Sequence, residues 1–234
     1  MMEDNKWWNK RVAIFVSLAG VAKLEGLSSQ LLRFLADHDV VVNTFKKLGI
    51  EEMFPFNWIQ STILGAVCSS ISIGDDAAKI IELAGFEIPN ICNVFIRFIS
   101  DADTSVNNRD RVGVYLSHYP AGSSLKSFEH FAQLIKSKKF QKFDYGEEGN
   151  MIEYGQKTAP EYDLTKIKGT KIVQIVGTVD ELADPEDNKW LNEQLGDNVV
   201  FYKEYKLGHL SFAIAKDTTF LDDVIEQLNK YKWK

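Results

Sequence analysis

Lys171-Ile-Val-Gln-Ile-Val-Gly-Thr-Val-Asp180 decides the fold, together with three stretches downstream of it: Asp184-Pro-Glu-Asp187, Val199-Val-Phe-Tyr202 and Leu207-Gly-His-Leu-Ser-Phe212. Residues 171–176 form a short apolar run rich in β-branched side chains, the pattern of a parallel strand buried on both faces. The run breaks at Gly177-Thr-Val-Asp180. Asp184 then reads as a helix N-cap, Pro185 as the first helical residue, and Glu186 and Asp187 as first-turn acids that complement the helix dipole. Gly196 reads as the glycine that closes this helix, and residues 199–202 as the next strand. An Asp therefore lies just past one strand and a His just past the next. In an open parallel sheet, ligands and catalytic groups gather at the strand carboxyl ends.

Outward from this stretch, Arg11-Val-Ala-Ile-Phe-Val-Ser-Leu-Ala19 is a second apolar run and reads as another core strand, with Ser17 as a core hydroxyl. Residues 1–10 read as the tail of a helix running into it. From Val21 to about Lys168 no further parallel strand is evident. Leu27, Leu31, Leu32 and Leu35 recur at helical spacing within residues 26–38. Residues 55–72 are apolar and aromatic, and residues 77–83 and 91–99 are further short helical candidates. Residues 101–110 form a polar loop. Residues 125–136 read as an amphipathic helix with Phe128, Phe131 and Ile135 on one face, and residues 145–163 as polar and turn-rich. The last helix, residues 218–230, aligns Leu221, Val224, Ile225 and Leu228 on the face that would pack on the sheet.

Composition narrows the classes. Hydrophobic residues make up 45% of the 234, enough to bury a core. The formal net charge is −6 and the basic residues are scattered, which argues against nucleic acid as a partner. No apolar run is long enough for a transmembrane helix. Met1-Met-Glu-Asp-Asn-Lys-Trp-Trp has no apolar segment of the signal-peptide kind. His38, His118, His130 and His209 show no metal-ligand spacing, so no metal site and no cofactor are expected.

An Asp followed by a His is the order of the last two members of the Ser…Asp…His set in α/β-hydrolases. Gly177-Thr-Val-Asp-Glu-Leu-Ala-Asp-Pro-Glu-Asp187 and Leu207-Gly-His-Leu-Ser-Phe212 resemble the acid lipase family of gastric and lysosomal lipases. Val114-Tyr-Leu-Ser-His-Tyr-Pro-Ala-Gly-Ser-Ser124, Phe128, His130 and Lys139-Phe-Gln-Lys-Phe-Asp-Tyr-Gly146 agree with that resemblance. It runs from about Lys10 to the last residue and covers only the C-terminal portion of such a lipase, beginning just after the helix that carries the nucleophile. Gly20 stands where the family usually has Pro. The family is secreted or lysosomal, and the N-terminus departs from that; the compartment stays open. Cys92 matches one member of the family's cap disulfide and Cys68 lies too far upstream to match the other, so both read as small buried residues.

The resemblance implies an α/β fold: a partial α/β-hydrolase with about three mainly parallel strands and a large helical cap. The expected organisation is a first core strand in residues 1–20, the cap in residues 21–168, and the Asp- and His-bearing core in residues 169–234. His209 would be the general base and Asp180 its orienting acid. Glu181 and Asp184 are the competing acids; Glu181 sits one residue off the family position and Asp184 is better explained as a helix cap. His118 and His130 read as hydrogen-bonded cap histidines.

The implied reaction is hydrolysis of a triacylglycerol or cholesteryl ester, with the acyl chain in a cap groove. The sequence contains no Gly-x-Ser-x-Gly, the motif that exposes a serine on a strained strand-to-helix turn. Gly26-Leu-Ser-Ser-Gln30 lacks the closing glycine and Ala121-Gly-Ser-Ser124 lies in the expected cap. Loss of the nucleophile costs about 10⁶ in rate in a serine protease, so no turnover is expected from this chain alone. The first core strand would have an open edge that a protein partner could complete. Two alternatives stand beside this reading: a non-catalytic lipid- or partner-binding remnant, and a truncated product without a function of its own.

Overall fold

The computed structural model describes residues 1–38, 40–53, 62, 96–97, 99–119 and 121–232. Its centre is β4 (Ile172–Gly177), in which every residue is buried. β4 pairs in parallel with β1 (Phe15–Leu18) on one side and with β5 (Val199–Tyr205) on the other. Burial on both faces is the reason for the unbroken Ile-Val-Gln-Ile-Val run. Ile172 packs with Ala22, Leu164, Ile167, Leu191 and Leu195 on one side of the sheet. Val173 and Ile175 pack with Leu207 and Phe220 on the other. Leu191 and Leu195 come from α7 (Pro185–Leu195) and Phe220 from α9 (Phe220–Tyr231), so the two helices cover opposite faces. This is an α/β layer arrangement, the fold of a partial α/β-hydrolase.

Local chemistry explains most boundaries. Asp184 caps α7 by accepting from the Glu186 amide at 2.8 Å, with Pro185 in the first turn. Residues 11–12 fall outside β1 because their amides bond to the Trp8 carbonyl, closing α1 (Asn5–Asn9). Asn5 and Asn9 tie α1 to the segment before β4: Asn5 Nδ2 donates to the Lys166 carbonyl at 2.9 Å and Asn9 Nδ2 to the Lys168 carbonyl at 2.8 Å. β5 continues to Tyr205, beyond the 199–202 run, because Val176 and Gly177 still pair with Glu204 and Tyr205. A register shift at its start places Val199 opposite Ile172 and Phe201 opposite Val173, the signature of a one-residue bulge.

Between β1 and β4 the described residues are mainly helical: α2 (Gln30–Asp37), α3 (Val40–Lys47), α4 (Arg109–Leu116), α5 (Leu125–Ser137) and α6 (Gly146–Tyr154). They hold no further parallel strand. β2 (Glu52–Met53) and β3 (Ser123–Ser124) form a short antiparallel pair. α2 packs on α5 around Leu24, Leu27 and Leu134. The stretch 101–110 is not all loop: Asn108 caps α4, whose first turn begins within it. Residues 145–163 are not all turn either, for they contain α6. Its glycines and acids hide the helix in sequence. Asn150 secures it, donating to Asp144 Oδ1 at 2.8 Å and to the Lys157 carbonyl at 3.0 Å. The helical candidate 77–83, Cys68 and Cys92, and nearly all of the candidates 55–72 and 91–99, lie outside the described residues. No helix among the described residues is long and apolar enough to cross a membrane.

Candidate active site

All three strands of the parallel sheet end on the same side. β1 turns away at Ala19, a non-glycine residue with φ 48°, a backbone conformation that is costly for an L side chain. β4 runs into Gly177-Thr-Val-Asp180 and β5 into Leu207-Gly-His209. These two exits cross closely. The Thr178 amide donates to the Tyr205 carbonyl at 2.8 Å and the Val179 amide to the Leu207 carbonyl at 3.2 Å. A Cβ on Gly177 would overlap the Leu207 carbonyl oxygen, so only glycine lets the two chains approach this far.

The crossing brings two side chains together. His209 Nδ1 lies 3.0 Å from Asp180 Oδ2. The Asp180 side chain is fully buried, while that of His209 is 27% exposed. Asp180 Oδ1 accepts from the backbone amides of Leu182 at 2.8 Å and Ala183 at 2.7 Å. An ionised carboxylate is acceptor only, so Nδ1 carries the proton and donates. Neutral His209 is thereby held in the tautomer whose Nε2 has its lone pair available to accept a proton. Burial alone would push the imidazole down. The hydrogen bond to Asp180 and the charge of that carboxylate, with Asp101 adding to it, outweigh burial and leave His209 above its ordinary 6.5.

The other sequence candidates are placed elsewhere. Asp184 caps α7. The Glu181 carboxyl is pushed above its ordinary value by burial and by the charge of Asp101, against the pull of Arg97. Its backbone, not its carboxylate, joins the site, with the amide donating to the Ser100 carbonyl at 2.9 Å. Of the three acids, Asp180 is the one whose carboxylate meets His209. His130 Nε2 donates to the Gln141 carbonyl at 2.9 Å and His38 Nδ1 to the Phe34 carbonyl at 2.7 Å. His118 is exposed at the end of α4. Ser17 sits in β1 opposite Gln174. Among the described residues no group of three or more His, Cys, Asp or Glu side chains is arranged to hold a metal ion.

One residue escapes the sequence reading. Asp101, fully buried, lies between the Asp180 and His209 loops. It pairs with Asp180 through an isolated backbone bridge. Its Oδ1 accepts from the Leu210 amide at 3.1 Å. Nothing in its local sequence beyond the apolar residues just before it marks it as buried, because its partners lie far away in the chain.

Comparison with known proteins sets this geometry in context. The chain is 33% identical over 211 residues to a gastric triacylglycerol lipase of Rattus norvegicus, which covers 89% of this chain and 48% of the lipase. It is 30% identical to the gastric triacylglycerol lipase of Homo sapiens over 230 residues, 95% of this chain and 52% of that protein. It is also 30% identical over 189 residues to lipase lipl-1 of Caenorhabditis elegans, 80% of this chain and 43% of that protein. The chain spans about half the length of the curated relatives it matches. No family model matches it.

Proposed function

We propose, for a chain related in sequence to the acid lipases, that it carries the acid and base of a carboxylic ester hydrolase site acting on a lipid ester such as a triacylglycerol or cholesteryl ester. His209 is the base that takes a proton from a serine nucleophile and returns it to the leaving alkoxide; Asp180 orients the imidazole and stabilises the imidazolium. The observation that carries this reading is the 3.0 Å approach of His209 Nδ1 to the buried Asp180 carboxylate, at the carboxyl ends of adjacent parallel strands.

The nucleophile is not among these 234 residues, which hold no Gly-x-Ser-x-Gly. The proposal is that they do not turn over ester by themselves. A base without a hydroxyl to activate lowers no barrier, and the loss of a nucleophile alone costs about 10⁶ in rate in a serine protease. Turnover would need a serine from outside them, on a strand laid against the free edge of β1 by a protein partner or by further sequence. The helices between β1 and β4 would be the cap over the site, spanning residues 21–168 as one inserted unit, with its apolar side chains receiving the acyl chain.

A second reading is non-catalytic binding of lipid or of a partner. It is favoured by the missing elbow motif and by a cleft beside α3 and α5 that Ile50, Leu125, Phe143 and Tyr145 line together with the charged Lys46, Glu51, Lys126, Glu129 and Asp144. A pair of measurements on the purified 234-residue chain separates the readings. The chain is treated with a fluorophosphonate, which labels activated serines, and titrated with a fluorescent fatty acid. We expect no serine labelling above background. Labelling that disappears in His209→Ala would overturn the claim that these residues lack a working nucleophile. Saturable fatty acid binding that is unchanged in His209→Ala but lost when Ile50 or Phe143 of that cleft is replaced would favour the binding reading.

A further inference from the structure

We propose that Asp101 is a positioning residue: its buried carboxylate holds the loop that carries His209 in register with Asp180. The Ala102 amide donates to the Val179 carbonyl at 3.0 Å and the Glu181 amide donates to the Ser100 carbonyl at 2.9 Å. Residues 100–102 therefore grip the Asp180 loop on both sides of the acid. The side chain of Asp101 does the same for the histidine loop. Oδ1 accepts from the Leu210 amide at 3.1 Å, and Oδ2 lies 3.3 Å from the Ser211 hydroxyl and 3.4 Å from Asn107 Nδ2. The Ser211 hydroxyl also reaches Asn107 Oδ1 at 2.7 Å, so it shares its single proton between Asn107 and the carboxylate. One short segment thus binds one loop by its backbone and the other by its side chain, and the acid and the base cannot drift apart without breaking it.

The chemistry of the position calls for a carboxylate. Its neighbours are the Leu210 amide and Asn107 Nδ2, which only donate, and the Ser211 hydroxyl, which donates or accepts, and a carboxylate can accept from all three. Burial pushes Asp101 above its ordinary value, and the nearby charge of Asp180 adds to that; the bonds from Leu210, Asn107 and Ser100 oppose the rise. The charge of the same carboxylate also raises Glu181, His209 and Tyr115 of α4, so it is felt on both loops. Asp101 also explains the glycine before the histidine. A Cβ on Gly208 would overlap the Asp101 carboxyl group. Gly208 is needed for this close approach, since its φ is not in the left-handed region.

Asp101 touches neither His209 nor a substrate, and it acts through residues 208–211. The role rests on the reading of Asp180 and His209 as a working pair, so the test reads the imidazole itself. In the 234-residue chain, imidazole ¹⁵N–¹H spectra follow the His209 titration and the downfield Nδ1 proton shared with Asp180. Asp101→Asn retains the shape and places a donor among donors. Gly208→Ala keeps the charge and displaces the carboxylate. In both variants we expect the His209 pKa to fall by about half a pH unit or more and the Nδ1 proton to exchange faster, with amide shifts confined to the loops around Asp101, Asp180 and His209. Ser211→Ala, which removes one donor and leaves the carboxylate in place, decides the matter if Asp101→Asn does not fold. A His209 titration and Nδ1 proton that stay at their wild-type values in these variants, while Asp180→Asn shifts both, would overturn the positioning role and leave the pair standing. If Asp180→Asn leaves both unmoved, the pair itself fails and the positioning role falls with it.

Discussion

At the residue scale, His209 and Asp180 form a contact whose strength depends on pH. Burial works against the imidazolium, and Asp180, with Asp101 behind it, more than restores it, so the folded protein holds the proton more tightly than the ordinary value of 6.5 implies. A folded-state pKa above the unfolded one adds stability that is fully present below 6.5 and is lost as pH rises through the raised value. His209→Gln removes that contribution. The difference in melting temperature between wild type and His209→Gln should be largest at about pH 5–6 and shrink as the pH rises past neutrality. A difference that grows with pH would mean that burial, not Asp180, governs the imidazole. On the proposed reading of His209 as a base, which must be neutral to accept a proton, the raised pKa moves its useful range upward.

At the element scale, β4 is where the sheet is most exacting, and it contains one misfit. Gln174 lies in the middle of this strand, 1% exposed, with neither side-chain polar atom hydrogen-bonded among the described residues. A buried polar group without a partner costs about 1–3 kcal/mol. Its neighbours on the same face, Ile172 and Val176, are the apolar residues the position calls for. Gln174→Leu should therefore raise stability by about 1–3 kcal/mol, seen as a higher urea midpoint at unchanged slope. A lowered midpoint would show that the amide has a partner that holds it. The flanking helix α7 carries a smaller one, Asn188 Oδ1, buried without a hydrogen-bond partner among the described residues, but its cap, first-turn proline and first-turn acids all point to the same boundary, and for this reason its sequence pattern is easy to read.

At the scale of the whole molecule, the sheet is open. β1 pairs with β4 on one side, and among the described residues no strand pairs with its other side. Phe15 and Leu18 on this strand are 41% and 39% exposed. An exposed apolar edge strand is a template for further pairing. The chain should therefore self-associate with rising concentration, and Phe15→Lys with Leu18→Lys should shift it toward monomer in light scattering after gel filtration. Equal masses for both forms at every concentration would sink this. The same free edge is where a strand bearing a nucleophile would have to lie if the site is to be completed.

The residues by themselves determined the alternation of strand and helix in the C-terminal third, the cap of α7, the doubly buried character of β4 and the placing of an Asp and a His after successive strands. Each of these depends on interactions within a few positions, or on a repeat of two or of three to four residues, and such signals survive in a linear string. The helix α6 was hidden because its glycines and acids give no apolar stripe, and Asn150 holds it by bonds to residues outside it. α3 was hidden because its Val40-Val-Val opening mimics a strand. The resemblance pointed to Asp180 and set Glu181 and Asp184 aside, but the contact itself is tertiary: the crossing of the two strand exits at Gly177 and Leu207 puts the Asp180 carboxylate against His209 Nδ1. Only the tertiary structure brought Asp101 into the site, for its bond to Leu210 spans 109 residues. A contact across that distance is set by how helices and strands pack, and no local pattern in the chain encodes it.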